Sequence, residues 1–123
     1  MTTYAAEMLE NIGMNLSVAI DDAVLDLDLP IELRKDFYLL FKEAINNIAK
    51  YSSASQVWVT LSKIGQETTL EIKDNGQGFE LGKEKQGNGL KNMASRAKRM
   101  NGKLIIETAI GQGTLIKLSF PIT

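Results

Sequence analysis

Glu43-Ala44-Ile45-Asn46-Asn47-Ile48-Ala49-Lys50 closes the most regular segment of the chain and sets polar side chains beside an apolar seam. That segment runs from Pro30 to Tyr51. Leu33, Phe37, Leu40, Phe41, Ala44, Ile45 and Ile48 recur at steps of three and four, which is one face of a core-facing helix. Pro30 suits a first turn, and Glu32 lies near the positive end of the helix. Ser52-Ser53-Ala54-Ser55 ends it. Glu43 and Asn47 are four residues apart and project from one face. So close to the seam they are partly buried, which is costly unless each has a partner.

On the N-terminal side, Tyr4 to Asn11 reads as a short helix stopped by Gly13. Met14 to Ile20 alternates as a strand, and the acidic stretch Asp21 to Leu29 reads as a loop. On the C-terminal side, Gln56 to Ile64 and Thr68 to Lys73 alternate around a Gly65-Gln66 turn, which predicts an antiparallel hairpin. Asp74 to Asn88 is rich in glycine and too long for an ordinary connection, so it is functional or disordered. Gly89 to Met100 forms a second long helix, with Leu90, Met93 and Ala97 inward and Lys91, Arg96, Lys98 and Arg99 outward. Lys103 to Thr108 and Thr114 to Pro121 are strands joined through Gly111-Gln112-Gly113. Hairpins with helices inserted between them predict an α+β sandwich, its helices on one face of a mixed sheet.

Composition narrows the chemistry. A length of 123 residues fits one domain. With no Cys and no His, the chain has no disulfides, no thiolate or imidazole metal ligands and no His-based catalysis. Any metal must be a hard cation held by oxygen, and any base a carboxylate, Lys or Tyr. Fourteen basic against fifteen acidic residues leave no basic field for nucleic acid. The apolar runs are far shorter than a membrane span, and no signal peptide is visible, so a soluble, cytoplasmic chain is expected.

Four places could carry function. Glu43 and Asn47, with Lys50 three residues further on, read in two ways. They are either a solvated face with a Glu–Lys pair, or a carboxylate and an amide oxygen for hydrated magnesium with Lys50 beside a phosphate. Asp74-Asn75-Gly76-Gln77-Gly78-Phe79 is either a plain turn or a loop that lets a ligand approach the backbone, with a carboxylate able to accept from an exocyclic amine. Gly87-Asn88-Gly89-Leu90 runs into a helix start, where free N–H groups favour an anion, but it fits neither the P-loop nor the dinucleotide fingerprint. Gly113-Thr114 is a hairpin end whose hydroxyl could reach a base or a water.

In this order and spacing the four pieces resemble the ATPase superfamily of gyrase, heat-shock chaperones, histidine kinases and mismatch-repair proteins. Glu43 to Lys50 resembles its N box, Asp74-x-Gly76-x-Gly78 its first glycine box, Gly87-x-Gly89-Leu90-x-x-Met93 its second, and Gly113-Thr114 its last. The likeness runs from about Met14 to Ile122. The wording Gly89-Leu90-x-x-Met93-x-x-Arg96-Ala97 is similar to sensor histidine kinases of the nitrate-sensor branch. The resemblance implies a Bergerat-type two-layer sandwich, about three helices over a mixed, mostly antiparallel sheet of about five strands. It implies ATP binding with magnesium, Asn47 on the metal and Asp74 on the adenine amine. It also implies Gly76 and Gly78 at the base, Gly87 and Gly89 at the phosphates, Leu90 and Thr114 as further nucleotide-binding residues, and Glu80 to Gln86 as a lid. Lys50 is implied beside the transferred phosphoryl group, and Glu43 as a general base, a magnesium-shell residue or both.

Tyr51 stands where this branch often has His, and is expected to pack by the nucleotide. The missing acceptor His is expected on a separate dimerisation domain, with residues 1–13 as the end of a linker helix and 14–123 as the ATP-binding domain. The partners implied are ATP, that acceptor domain and, indirectly, a response regulator; no nucleic acid is implied, and the isolated domain is expected to be a monomer with little turnover. Its place would be the cytoplasm or the cytoplasmic end of a membrane-bound sensor. An anti-sigma-factor serine kinase and a docking module with a decayed nucleotide site are the alternatives. The Gly89-to-Arg96 wording favours the sensor kinase over the first, and the intact boxes disfavour the second.

Overall fold

The hairpin at Gly65-Gln66 forms the centre of a five-stranded sheet. The computed structural model describes residues 2–25, 27–78 and 89–122. Its strands are β1 (Asn15–Ile20), β2 (Gln56–Ile64), β3 (Glu67–Asp74), β4 (Lys103–Thr108) and β5 (Thr114–Pro121), in the order β1-β2-β3-β5-β4. Among the described residues only the β1–β2 pair, with Asn15 opposite Gln56, is parallel; β2–β3, β3–β5 and β4–β5 are antiparallel. The helices are α1 (Thr2–Glu10), α2 (Asp22–Leu25), α3 (Ile31–Asn47) and α4 (Gly89–Arg99). This is the α+β sandwich of three longer helices over a mixed sheet that the sequence predicts.

The two-residue period of the strands sends one set of side chains inward. Val57, Val59, Leu61, Leu70, Ile72, Ile116, Leu118 and Phe120 are buried against Phe37, Leu40, Phe41, Ala44 and Ile45 of α3 and Met93 and Ala97 of α4. The rings of Phe37 and Phe120 meet at 5.6 Å between centroids, joining helix layer to sheet. Ala5 and Leu9 carry α1 into the same core. Tyr4 donates its hydroxyl to Asn46 Oδ1, and Lys42 lies over the rings of Tyr4 and Tyr38. No helix among the described residues is long and apolar enough to cross a membrane.

Two elements differ from the sequence reading. The expected loop Asp21 to Leu29 contains the single turn α2. Asp21 accepts the N–H of Ala23 on its side chain and that of Val24 on its carbonyl, and Val24 packs on the core. One turn is too short to show a period. The long helix begins one residue after Pro30, which is its N-cap, and stops being α-helical at Asn47. Ile48–Ser52 continues as a π-helix, and Ser53 then takes a left-handed φ of 53°. Apolar spacing does not register the extra residue of a π turn.

Candidate functional site

The site begins where α4 meets α3. Gly89, the first residue of α4, is packed so tightly that a Cβ there would lie 2.8 Å from Asn47 Nδ2, 3.0 Å from Asn47 Oδ1 and 3.1 Å from Glu43 Oε1. The two side chains expected to share a face therefore converge on the N-terminus of α4, whose first N–H groups have no partners within the helix. Asn47 Nδ2 is buried without a hydrogen-bond partner among the described residues. Leaving such a group unsatisfied costs about 1–3 kcal/mol, so this corner favours a polar ligand. The other end of α4 is tied to the same helix: Asp36 accepts from Arg99 Nη2 at 2.9 Å and from Arg96 Nη1 at 3.4 Å. Arg96, expected to point outward, is half-buried in this pairing.

The second part lies beyond the π turn. Ser52 Oγ donates to the Ile48 carbonyl at 2.8 Å and accepts the Ala54 N–H at 3.1 Å, which holds the widened turn. The Ser52 carbonyl faces Gly76, where a Cβ would lie only 2.2 Å from it, so no larger residue fits without moving backbone. Gln77 spans the gap. Its N–H donates to the Ser52 carbonyl at 2.7 Å and its Nε2 to the Tyr51 carbonyl at 2.6 Å. Its own carbonyl accepts the Gly111 N–H at 2.6 Å. Asn75 secures the same loop through the N–H groups of Ser55 and Gln56.

Asp74 ends β3 opposite Thr114 of β5 and is 2% exposed. Its Oδ1 accepts the Gly76 N–H at 2.8 Å. Burial pushes its carboxyl above the ordinary 3.8, while the backbone N–H groups of Gly76 and Thr114 pull the other way. A carboxylate offers about four acceptor directions, so these bonds leave capacity for a ligand donor. Thr114 Oγ1 lies 2.9 Å from Thr108 Oγ1, which also contacts the Gly113 carbonyl at 3.2 Å. Gly78, at φ 63°, presses on the Ala109 carbonyl in the β4–β5 connection.

The sequence profile of the histidine kinase-, DNA gyrase B- and HSP90-like ATPases matches residues 32–123. The chain belongs to this family. It is 39% identical over 87 residues to the signal transduction histidine-protein kinase/phosphatase DegS of Brevibacillus brevis, a match covering 70% of this chain and 22% of that protein. The chain thus spans about a fifth of that relative's length. The blue-light activated histidine kinase of Erythrobacter litoralis EL346 shares the fold at a TM-score of 0.82 and 16% identity, over 98% of this chain and 40% of that one. The Acinetobacter baumannii histidine kinase AdeS does so at 0.79 and 14% identity, over 99% of this chain and 63% of that one.

In this ATPase-family domain the expected site residues fall into two clusters joined by the π turn. Glu43, Asn47 and Gly89 form one; Asp74, Gly76, Gly78 and Thr114 form the other. Lys50 and Tyr51 lie on the turn itself, Lys50 exposed and Tyr51 38% exposed. Leu90 is half-buried and lines a groove with Ala94, Ala97, Leu104 and Ile106, on the side of α4 that faces β4. Gly87 and the expected lid Glu80 to Gln86 lie outside the described residues. The sequence reading passed over the packing roles of Ser52, Gln77, Asn46 and Asp36. Gln77 sits between the two glycines of a box already singled out, which was the available signal; the partners of Asp36 are 60 and 63 residues away.

Magnesium fits this donor set. The described residues contain no group of three or more Asp or Glu placed to hold a metal ion. Asn47 Oδ1 and Glu43 Oε1 are two oxygens at one corner, and magnesium characteristically takes one or two protein oxygens plus phosphate and water.

Proposed function

We propose that this domain binds ATP with magnesium and serves as the catalytic domain of a sensor histidine kinase. The observation that carries the reading is Asp74, a buried carboxylate at the floor of a glycine loop, bonded to the Gly76 N–H. Asp74 accepts the adenine amino group, a donor that guanine does not present in the same place. Gly76 and Gly78 leave room for the base, Thr114 lines its edge, and Tyr51 packs beside it. Asn47 Oδ1 holds the magnesium ion and Glu43 completes its shell. When bound, the ion neutralises charge on the phosphate oxygens. Lys50 and the N–H groups at Gly89 and Leu90 hold the phosphates, with Gly87 assigned to the same task. The bond from the γ-phosphorus to its bridging oxygen breaks as a bond to an imidazole nitrogen forms, and ADP leaves.

With no His in the chain, the acceptor belongs to another domain, and the phosphoryl group passes from there to a response regulator. Residues 1–13 are then the end of the connection to that dimerisation domain, and 14–123 the ATP-binding unit. The likeness to DegS, named a histidine-protein kinase/phosphatase, supports the choice of acceptor. Placement in the cytoplasm belongs to the same reading.

Calorimetric titration of ATP and GTP, with and without magnesium, tests it. Tighter binding of ATP than of GTP is expected, with the preference lost in Asp74→Ala and the magnesium dependence lost in Asn47→Ala. An absence of binding at nucleotide concentrations on the order of millimolar overturns it. Incubating the parent protein with radiolabelled ATP tests the acceptor: an acid-labile label is expected, and an acid-stable one overturns the histidine assignment.

A further inference from the structure

The π turn ends with its last carbonyls turned away from any helical partner, because Ser53 reverses the chain in the left-handed region. A helix end of this kind is ordinarily closed by the residues that follow it. Here the carbonyls of Tyr51 and Ser52 are closed from a distant loop, by the side chain and the backbone of Gln77. The same residue receives the Gly111 N–H, so it joins the π turn, the glycine loop and the β4–β5 connection. Its neighbour Gly76 donates to Asp74 Oδ1. A shift at Gln77 therefore reaches the carboxylate through one residue and the backbone of Tyr51 directly.

We propose that Gln77 is a positioning residue for base selection: its amide, bound to the Tyr51 carbonyl, sets the spacing between the Tyr51 ring and the Asp74 carboxylate. The inference rests on the adenine-binding reading above. Gln77 is exposed and its main chain keeps its bonds in any variant, so substitution is expected to leave the fold intact. Gln77→Glu keeps the shape but presents an acceptor to an acceptor. Gln77→Ala removes the bond. Gln77→Lys restores a donor.

Calorimetry with ATP, GTP and magnesium triphosphate, alongside thermal melts, tests the role. For Gln77→Glu and Gln77→Ala, ATP affinity is expected to fall about five- to tenfold, the weight of one hydrogen bond, with the ATP-to-GTP ratio falling in step. Magnesium triphosphate affinity is expected to hold, because its contacts at Asn47, Gly89 and Leu90 lie on other elements than Gln77, and Lys50 reaches the phosphates through a side chain that Gln77 does not touch. Gln77→Lys is expected to recover most of the loss. Equal losses for ATP, GTP and triphosphate together with a lower melting temperature would mean that Gln77 only stabilises the fold, and would overturn the proposal. So would variants that keep the parent's ATP preference; the adenine site would then stand without this role for Gln77. A parent chain with no ATP preference would remove both.

Discussion

Asp74 is an acid that the fold holds at a cost. Its carboxyl is pushed above the ordinary 3.8 mainly by burial, so the folded state takes up a proton more readily there than the unfolded chain does. Its contribution to stability is fully present below the unfolded value and is lost as pH rises through the raised folded value. A purine amine needs the opposite form, since only the carboxylate accepts freely. Binding of adenosine is therefore expected to weaken as pH falls from neutral into the raised range of Asp74. An NMR titration with adenosine checks this without the phosphate groups, whose second ionisation near pH ~6 would overlap. Asp74→Asn is expected to bind weakly at every pH and to show no such slope. The reading of Asp74 was legible in sequence because its neighbours are glycines two apart; its burial was not, because it depends on β5 lying alongside β3.

At the scale of elements, α4 is pinned to α3 at both ends. Gly89 sits on Glu43 and Asn47, and Arg96 and Arg99 grip Asp36. Arg99 chiefly, with help from Arg96, holds the Asp36 carboxyl below its usual value. The stability this provides is present above the unfolded value and is lost as pH falls through the lowered folded one. Arg99 is more than half exposed, so solvent screens the pair. Asp36→Asn is expected to cost about 1 kcal/mol or less at neutral pH, and nothing once both forms are neutral in acid. Urea unfolding at the two pH values, at low and high salt, measures it. The two long helices and the four C-terminal strands were legible because each repeats its own period several times. The π turn, the single-turn α2 and the Asp36 pairing have no period to display: the first two are held by bonds within one turn, and the third joins residues far apart in sequence.

For the molecule as a whole, pieces separate in sequence are paired by the topology: β5 alongside β3 brings Thr114 to Asp74, and α4 against α3 brings Gly89 to Glu43 and Asn47. Their order along the chain was enough to suggest the family; their convergence is a property of the topology. The same topology has a consequence for how the domain assembles and comes apart. The β2–β3 and β4–β5 pairs are joined by short turns and close cheaply, whereas β1 reaches β2 only after the chain has passed through α2 and α3. It also forms one edge of the sheet, with one neighbour among the described residues, and its Val18 is 40% exposed. β1 is expected to dock late in folding and to open early, so its amides should exchange with deuterium sooner than those of Leu70 and Ile72 in β3. Equal protection across the two strands would show that the sheet opens as one unit. A pull applied on the α1 side therefore loads α1 and then β1, the strand that can peel away while the hairpins carrying Asp74 and Thr114 stay closed.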